Sequence, residues 1–394
     1  MTRNDKSPIG AWLVGSRGSI ATTVVSGAAA IAAGTAGAVG CVTELADFAS
    51  AGLVPLDRLV FGGCDVVTTP LRKRAEQLAS AGVIPAHVGA AVGEALDRAE
   101  SEMITIAGPG TGVPQRVRAD CLIKALADFQ ARTGCEQVVV VNVASTEPTP
   151  GSDPAYQSLQ ALEEALDTRP DVLPPSSLAA YAAFRSGHPF VDFTPSVGAR
   201  LPALDELARQ ANLPYAGNDG KTGETLVKSV LAPMFAYRGL DVRSWYSANI
   251  LGGGDGATLS DSEACDTKIR SKASSLSKLL GYTPESTVRI DYVADMGDWK
   301  TAWNHVAFEG FLGVQMKLQF TWQGCDSALA APLILDLVRL AAFAQQRGES
   351  GPLSEFGFFF KDPVGDGDDS RLSGQYDRLK AWAAGTPAPA GTAS

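Results

Sequence analysis

Residues 11–19 read Ala-Trp-Leu-Val-Gly-Ser-Arg-Gly-Ser, and a stretch of helical length, rich in Ala, Thr and Val, follows from Ile20 to about Ala33. The apolar run predicts a strand, and Gly15 and Gly18 permit a tight turn and a close approach of a ligand to the backbone. The first amides of the predicted helix suit the pyrophosphate of a dinucleotide. Because any turn from strand to helix can carry two glycines, this stretch alone leaves nucleotide binding open.

Three more apolar runs predict a buried parallel sheet around this first strand. They cover Ala38–Glu44, Leu59–Gly63 and Gln137–Val143, with intervals of helical length between them. Continuous apolar strands are typical of sheets that helices cover on both faces. The first half of the chain therefore predicts a doubly wound α/β fold of the Rossmann type.

Polar residues follow two of these strands. Asp65 could accept hydrogen bonds from ribose hydroxyls, although a solvated loop aspartate gives the same pattern. Ser145 and Thr146 stand after the strand at 137–143, at the carboxyl end, where ligands bind in open α/β sheets. All three are candidate cofactor contacts.

The second half predicts a further, mixed sheet. Leu240–Leu251 and Thr287–Val293 are rich in β-branched and aromatic residues, and residues 303–322 could supply one or two more strands. A long apolar helix follows from Ala328 to Gln346, and such a helix must be buried on most sides. Since 394 residues exceed the size of one hydrophobic core, we expect two domains.

Composition narrows the class of protein. Hydrophobic residues make up 45% and charged residues 19% of the chain, which is ordinary for a globular protein. The net charge of −10 disfavours nucleic acid and anionic membranes as partners. The six cysteines show no metal-ligand spacing, and we see neither a secretion signal nor a membrane-spanning stretch. We expect a soluble protein of the cytoplasm, with partners that are neither nucleic acid nor membrane.

Lysines in the second half suggest an anionic ligand. Lys268 and Lys272 are spaced i, i+4, so on a helix their repulsion would cost up to about 0.5 kcal/mol, and a bound anion would reverse that cost. A solvated helix face gives the same spacing. Residues 215–225 read Tyr-Ala-Gly-Asn-Asp-Gly-Lys-Thr-Gly-Glu-Thr and suit a ligand loop, or simply a capped start of a helix at Glu224–Ala236. Lys221 is unusual there, because a cation opposes the helix dipole.

Several motifs from Gly10 to Pro363, in order along the chain, together resemble the inositol-1-phosphate synthase family in its shorter, archaeal- or bacterial-like type. The first are Trp-Leu-Val-Gly-Ser-Arg-Gly-Ser-Ile-Ala-Thr-Thr from Trp12, Phe-Gly-Gly-Cys-Asp from Phe61, Asn-Val-Ala-Ser-Thr-Glu-Pro from Asn142 and Gly-Asn-Asp-Gly-Lys-Thr-Gly-Glu-Thr from Gly217. The later ones are Asn-Ile-Leu from Asn249 with Asp255-Gly256, the pair Lys268 and Lys272, Gly-Asp-Trp-Lys ending at Lys300, Asp326-Ser327 and Phe-Phe-Lys ending at Lys361.

The resemblance implies an isomerase that recycles NAD. In this cycle NAD+ oxidises C5 of glucose 6-phosphate, C6 enolises and attacks C1 in an intramolecular aldol step, and NADH reduces C5 to give 1L-myo-inositol 1-phosphate. The lysines are implied to bind phosphate, move the C5 hydroxyl proton and stabilise oxyanions, and Lys268 and Lys361 are favoured for the redox step. Preorganised ammonium groups suit such charges. The four lysines are Lys268, Lys272, Lys300 and Lys361.

The resemblance also implies two sets of binding residues. Those for the cofactor are Gly15, Ser16, Arg17, Gly18, Ser19, Ile20, Asp65, Ala144, Ser145, Thr146, Asp219, Thr222, Asp326 and Ser327. Those for the hexose 6-phosphate are Lys221, Asn249, Leu251, Gly253, Gly254 and Asp255. Asp255 is in addition a candidate ligand for a divalent metal ion, whose presence is left open.

Two departures leave alternatives. Gly253 and Gly254 stand where eukaryotic members carry two asparagines, and Asp192 stands where an uncharged amide is more familiar. A larger pocket could accept fructose 6-phosphate, and the same chemistry would then give a five-membered cyclitol phosphate for a carbocyclic natural product. A simple NAD-dependent dehydrogenase would instead release NADH, and a silent NAD-sensing scaffold would dispense with the lysines.

The resemblance finally implies the domain plan and the assembly. Residues 1–240 and 326–394 are expected to form the NAD-binding Rossmann domain, with 385–394 disordered. Residues 241–325 are expected to form an inserted α+β domain for catalysis and oligomerisation. A homotetramer is expected, because the middle sheet must cover its second face.

Overall fold

The computed structural model describes residues 7–106, 108, 110, 112–252, 276–365 and 369–386, which form two sheets and the helices around them. The first sheet comprises β1 (Ile9–Val14), β2 (Leu59–Asp65), β3 (Met103–Thr105), β4 (Gln137–Asn142), β5 (Phe190–Asp192), β6 (Pro214–Gly217) and β11 (Gly351–Pro352). The second comprises β7 (Asp241–Leu251), β8 (Glu285–Tyr292), β9 (Trp299–Glu309) and β10 (Gln315–Cys325).

Helices connect these strands. They are α1 (Ser19–Ala32), α2 (Leu71–Ser80), α3 (Ala86–Ala91), α4 (Gly93–Ser101), α5 (Gln115–Thr133), α6 (Leu159–Thr168), α7 (Pro175–Arg185), α8 (Pro202–Gln210), α9 (Gly223–Tyr237), α10 (Asp326–Gln346) and α11 (Leu372–Ala383).

The first sheet is parallel throughout, in the order β11-β6-β5-β4-β1-β2-β3. Side chains of β1 alternate between two cores: Ala11 and Leu13 pack on the face that α1 and α10 cover, and Trp12 and Val14 pack on the opposite face, which α5 to α8 cover. The order reverses between β1 and β4, and in such sheets ligands bind at that point, beyond the carboxyl ends of the strands. The predicted doubly wound α/β fold is confirmed.

The strand predicted at Ala38–Glu44 is wrong. Val42–Glu44 forms a single 3₁₀ turn, because its amides bond to a helix instead of a neighbouring strand. Asp336 of α10 accepts the Val42 amide at 2.6 Å and the Thr43 amide at 3.1 Å. Alternation of apolar residues could not reveal this buried carboxylate.

The second sheet has the order β10-β9-β7-β8, with β7 and β8 parallel and the other pairs antiparallel. One face packs on α9, where Phe235 meets Trp245 and Val306. All four described strands lie between residues 241 and 325. The mixed sheet is thus as expected, and the domain boundaries at 240 and 325 stay predictions.

The apolar helix predicted at Ala328–Gln346 is α10, which begins two residues earlier than predicted. Its length and apolar composition would suffice to cross a membrane, but 72% of its apolar window is buried inside the protein. It is therefore a core helix.

The predicted disordered tail at 385–394 begins within the described residues. Gly385 and Thr386 follow α11, and their amides donate to the carbonyls of Trp382 and Ala381. Residues 387–394 lie outside the described residues.

Candidate active site

The turn after β1 lies against the loop after β4. The amides of Gly15 and Ser16 donate to the Cys64 carbonyl at 2.9 and 3.2 Å. Gly15 has a φ of +85°, and a Cβ atom there would lie 2.7 Å from the Cα of Ala144. Only glycine fits such a backbone contact. The predicted cofactor contacts Gly15 and Ala144 are therefore direct neighbours.

Helix α1 begins with amides that no side chain caps. Gly18 is the extended N-cap residue, and the first turn of α1 contains no acidic residue. The first N–H groups of a helix have no partner within it, and their partial positive charge favours an anion. Ser19 and Ile20 are half-buried, while the buried hydroxyl of Ser16 has no hydrogen-bond partner among the described residues. This arrangement fits the pyrophosphate of a dinucleotide.

Asp65 fixes the glycine turn from β2. Its carboxylate accepts the Arg17 amide at 2.7 Å and the Val67 amide at 2.9 Å. The Arg17 side chain is buried against α4, where its Nε donates to Glu100 at 3.0 Å. These contacts anchor the turn, and the predicted binding of ribose by Asp65 and of cofactor by Arg17 stay predictions.

A buried carboxyl group lies under the loop after β4. Asp192 Oδ1 accepts hydrogen bonds from the side-chain amide of Asn142 at 3.1 Å and from the backbone N–H of Thr194 at 2.9 Å. The side-chain oxygen of Asn142 in turn accepts the backbone N–H of Ala144 at 3.3 Å. Burial raises the pKa of Asp192 from 3.8 to about 7, although these hydrogen bonds oppose the rise. Its Oδ2 has no hydrogen-bond partner among the described residues. At neutral pH this acid is thus partly protonated, unlike an ordinary aspartate.

Ser145 and Thr146 lie beyond β4 as predicted, exposed and half-buried respectively. The next residue holds their loop in place. Glu147 accepts the Ser176 amide at 2.7 Å and the Ser176 hydroxyl at 2.6 Å. Burial raises the pKa of Glu147, and the bonds from Ser176 oppose that effect.

The loop between β6 and α9 holds Lys361. Asp219, at φ +61°, accepts the Lys361 ammonium at 2.8 Å through Oδ1 and the Lys361 amide at 2.7 Å through its carbonyl. The Asp219 amide donates to the Thr194 carbonyl at 2.8 Å. Lys361 is therefore fixed at both backbone and side chain.

The same loop holds Lys300 through α10. The Lys300 ammonium forms an ion pair with Asp326, the first residue of α10, and the Thr222 hydroxyl donates to Asp326 at 3.4 Å. Ser327 is buried next to it. Because Asp219 and Thr222 are three residues apart, one loop positions two of the four predicted lysines.

Lys221 lies between Asp219 and Thr222 in the sequence, but its side chain points toward the C-terminal segment. Its ammonium donates to the Gly357 carbonyl at 3.1 Å and to the side chain of Gln375. Burial lowers the pKa of Lys221 to about 7. These contacts join the loop to the C-terminal segment, so the substrate-binding role predicted for Lys221 stays a prediction without support from its described partners.

Two predicted substrate contacts lie on β7. Leu251 stands opposite Lys300 in the β7–β9 register, and Asn249 stands opposite Ala302. Asn249 is buried, and its side chain donates to the Arg289 carbonyl at 3.4 Å. Strand β7 therefore leads from Asn249 to the level of Lys300.

The remaining predicted site residues lie outside the described residues, and their roles stay predictions. They are Gly253, Gly254, Asp255, Lys268 and Lys272. Within the described ranges, no group of three or more His, Cys, Asp or Glu residues is arranged to hold a metal ion. The candidate metal ligand Asp255 is not tested by that result.

Sequence reasoning missed two acidic residues. Asp298 accepts a hydrogen bond from Ser19 Oγ at 3.3 Å, and its place in the Gly-Asp-Trp-Lys motif could have pointed to it. Glu100 holds Arg17 and also accepts the Leu71 amide at 2.6 Å. Nothing in the sequence separates Glu100 from the other charged residues of its helix.

Comparison with known proteins places these features in one family. The family model described as myo-inositol-1-phosphate synthase matches residues 9–383. Inositol-3-phosphate synthase 1 of Bacteroides thetaiotaomicron is 33% identical, over 91% of this chain and 90% of the relative.

Solved structures agree on the fold. Inositol-3-phosphate synthase from Caenorhabditis elegans superposes with a TM-score of 0.82 at 22% identity, covering 96% of this chain and 85% of that one. A myo-inositol-1-phosphate synthase-related protein from Thermotoga maritima superposes with a TM-score of 0.75 at 24% identity, covering 96% and 99%.

Replacing Gly15 should weaken cofactor binding. In Gly15→Ala the new Cβ meets the Ala144 backbone and the positive φ adds strain, so we expect the affinity for NAD+ to fall at least about tenfold. Isothermal titration calorimetry measures this affinity. Gly27→Ala is the matched control, because a Cβ there meets nothing within 4 Å inside α1. Equal affinity in the two variants would contradict the assigned cofactor turn.

Replacing Asp192 should make stability less dependent on pH. The folded pKa of about 7 lies above 3.8, so unfolding releases a proton and the free energy of unfolding falls as pH rises through this window. Asp192→Asn removes that loss. We expect the melting temperature of the variant to gain about 2 to 5 °C on that of the wild type between about pH 5 and about pH 8.

Differential scanning calorimetry of both proteins across this range provides the test. Asp57→Asn, which makes the same substitution at an exposed position, serves as the control. A difference from wild type that stays constant across this range for Asp192→Asn would show that the buried carboxyl group does not titrate as described.

Proposed function

The chain belongs to the myo-inositol-1-phosphate synthase family, and on that premise we propose that it is an NAD-dependent cyclase converting glucose 6-phosphate into 1L-myo-inositol 1-phosphate. The observation that carries this proposal is the loop at 219–222, which holds two lysine–aspartate pairs. Asp298, two residues before one of these lysines, contacts the start of α1. Cofactor turn and lysines thus belong to one connected site.

The residues at the switch point suit NAD. The turn at Gly15, the first amides of α1 at Ser19 and Ile20, and Asp65 would hold the dinucleotide, since the close backbone contact and uncapped helix start favour a pyrophosphate. When bound, NAD supplies the removal of a hydride from the sugar and its later return.

The lysine–aspartate pairs would transfer the proton of the sugar hydroxyl and stabilise the negative charges of the intermediates. Lys361 is held by Asp219 through a 2.8 Å hydrogen bond and would exchange the proton of the C5 hydroxyl. Lys300, oriented by Asp326, would stabilise the enolate and alkoxide oxygens, because a fixed ammonium group lowers the energy of a developing negative charge. Lys268 and Lys272 would complete the set, on the strength of the family resemblance alone.

The product identifies the reaction. Purified protein incubated with NAD+ and glucose 6-phosphate should give an inositol phosphate, identified by NMR, with no net NADH. Net NADH would indicate a dehydrogenase, and bound NAD without any product would indicate a silent scaffold. A product from fructose 6-phosphate alone would favour the five-membered cyclitol, a route that the named relatives do not support.

Removing either described lysine should stop turnover while leaving the fold intact. Lys361→Met and Lys300→Met each lose a positioned ammonium group, and we expect kcat to fall about 100-fold or more. Bound NAD+ should be retained. Lys124→Met, which removes an exposed lysine from α5, should keep the wild-type rate. Near-normal rates in Lys361→Met would exclude the proton-transfer role.

We also propose a homotetramer in the cytoplasm. The face of the second sheet opposite α9 carries a row of contacting rings, Tyr246, Trp303 and His305, with Trp303 39% exposed. Such a face favours association with another copy. The five described cysteines are free, which fits a reducing compartment.

Disrupting this face should disrupt the assembly. Light scattering of the wild type should give the mass of four 41.0 kDa chains, and Trp303→Asp should give smaller species, because it places a charge among the rings. Val117→Asp changes another exposed apolar residue, on α5, and should remain tetrameric. A monomeric wild type would rule the assembly out.

A further inference from the structure

The start of α1 meets a carboxylate that comes from the second sheet. Ser19, the first residue of α1, donates its hydroxyl to Asp298 Oδ1 at 3.3 Å. The first turn of α1 carries no acidic residue of its own. An acidic side chain near a helix start is stabilised by the helix dipole. The negative charge at this start is therefore supplied from a residue 279 positions further along the chain.

A second contact joins the same turn to the helix layer that surrounds the first sheet. The indole N–H of Trp299 donates to the Ala81 carbonyl, just after α2, at 2.9 Å. Asp298 and Trp299 directly precede Lys300. The backbone before this lysine is therefore attached to both α1 and the end of α2.

Asp298 and Lys300 also lie near a common neighbour. Cys325 stands opposite Trp299 in the β9–β10 register. Burial is the main reason why the pKa of Cys325 is raised, the negative charge of Asp298 adds to the rise, and the positive charge of Lys300 opposes it. The two charges are thus close to the same buried thiol, at the junction of both sheets.

The Asp298 carboxylate and a dinucleotide pyrophosphate favour the same place. Both are anions attracted to the start of α1, and both can accept the Ser19 hydroxyl. Two negative charges at one helix start repel each other, and the repulsion is stronger where water is partly excluded. We therefore expect Asp298 to lower the affinity that the helix start alone would give for the cofactor.

We propose that Asp298 is a positioning residue that holds the Lys300 turn against α1 and lowers the affinity for NAD in doing so. The proposal rests on the proposed function, since it requires the cofactor at α1 and a role for Lys300 in turnover. It assigns two separable effects to one side chain: its hydrogen bond to Ser19 places Lys300, and its charge opposes the pyrophosphate.

Two substitutions separate these effects. Asp298→Asn keeps an acceptor for Ser19 but removes the charge, so we expect NAD+ to bind about three to ten times more tightly, with kcat within about threefold of wild type. Asp298→Ala removes both, so NAD+ should again bind more tightly while kcat falls about tenfold or more. Tighter binding joined to slower turnover is the opposite of what a loosened fold would produce.

Further measurements distinguish charge from general damage. The gain in NAD+ affinity should shrink at high salt, because ions screen the repulsion. Trp299→Phe removes the hydrogen bond to Ala81 without removing a charge, so it should lower kcat and leave the NAD+ affinity unchanged. Asp295→Asn, which removes an exposed charge from the same turn, should match the wild type in both.

The outcomes are decisive in either direction. Unchanged or weaker NAD+ binding in both Asp298 variants, or a kcat of Asp298→Ala within about twofold of wild type, would overturn the proposal. Failure of the wild type to bind NAD+ or to form product would instead overturn the proposed function. Calorimetric binding and steady-state kinetics on the same full-length preparations keep those two failures apart.

Discussion

Backbone pairing between the loop at 217–221 and the segment at 359–364 is the constraint on which the described site depends. The Val364 amide donates to the Gly217 carbonyl, and the Lys221 amide donates to the Phe359 carbonyl, each at 2.7 Å. Between these bonds the loop has little freedom, so Asp219 and Thr222 face fixed directions. Their partners, Lys361 and the Asp326–Lys300 pair, are then placed by the loop and not by their own long side chains.

Burial shifts the pKa values of two groups near this loop in opposite directions. The pKa of Asp192 is raised to about 7 and that of Lys221 is lowered to about 7, in both cases chiefly because burial penalises the charged form. At neutral pH each group is therefore present in both its charged and its uncharged form. The two lysine–aspartate pairs held by the loop are, by contrast, partly exposed.

The fold was predictable where one local pattern sufficed, and the site was predictable only in part. The apolar run at β1, followed by Gly15, predicts a strand and a turn, and the long apolar stretch of α10 predicts a core helix. The segment at Ala38–Glu44 misled, because a carboxylate of α10 takes its amides. The direction of the lysine side chains was equally hidden, because it depends on tertiary contacts: Lys361 joins Asp219, whereas Lys221 joins Gly357 and Gln375.

The pairing of Lys361 with Asp219 spans 142 positions, and it has a consequence for the synthesis of the protein. A ribosome releases the glycine turn, the loop at 219–222 and Lys300 well before Lys361. Until Lys361 emerges, the loop lacks the segment at 359–364 that orders it, and Asp219 lacks its lysine partner. Contacts of such long range also slow folding, because the chain must close large loops first. The pair of Asp219 and Lys361 can therefore form only after the glycine turn, the loop and Lys300 have all been synthesised.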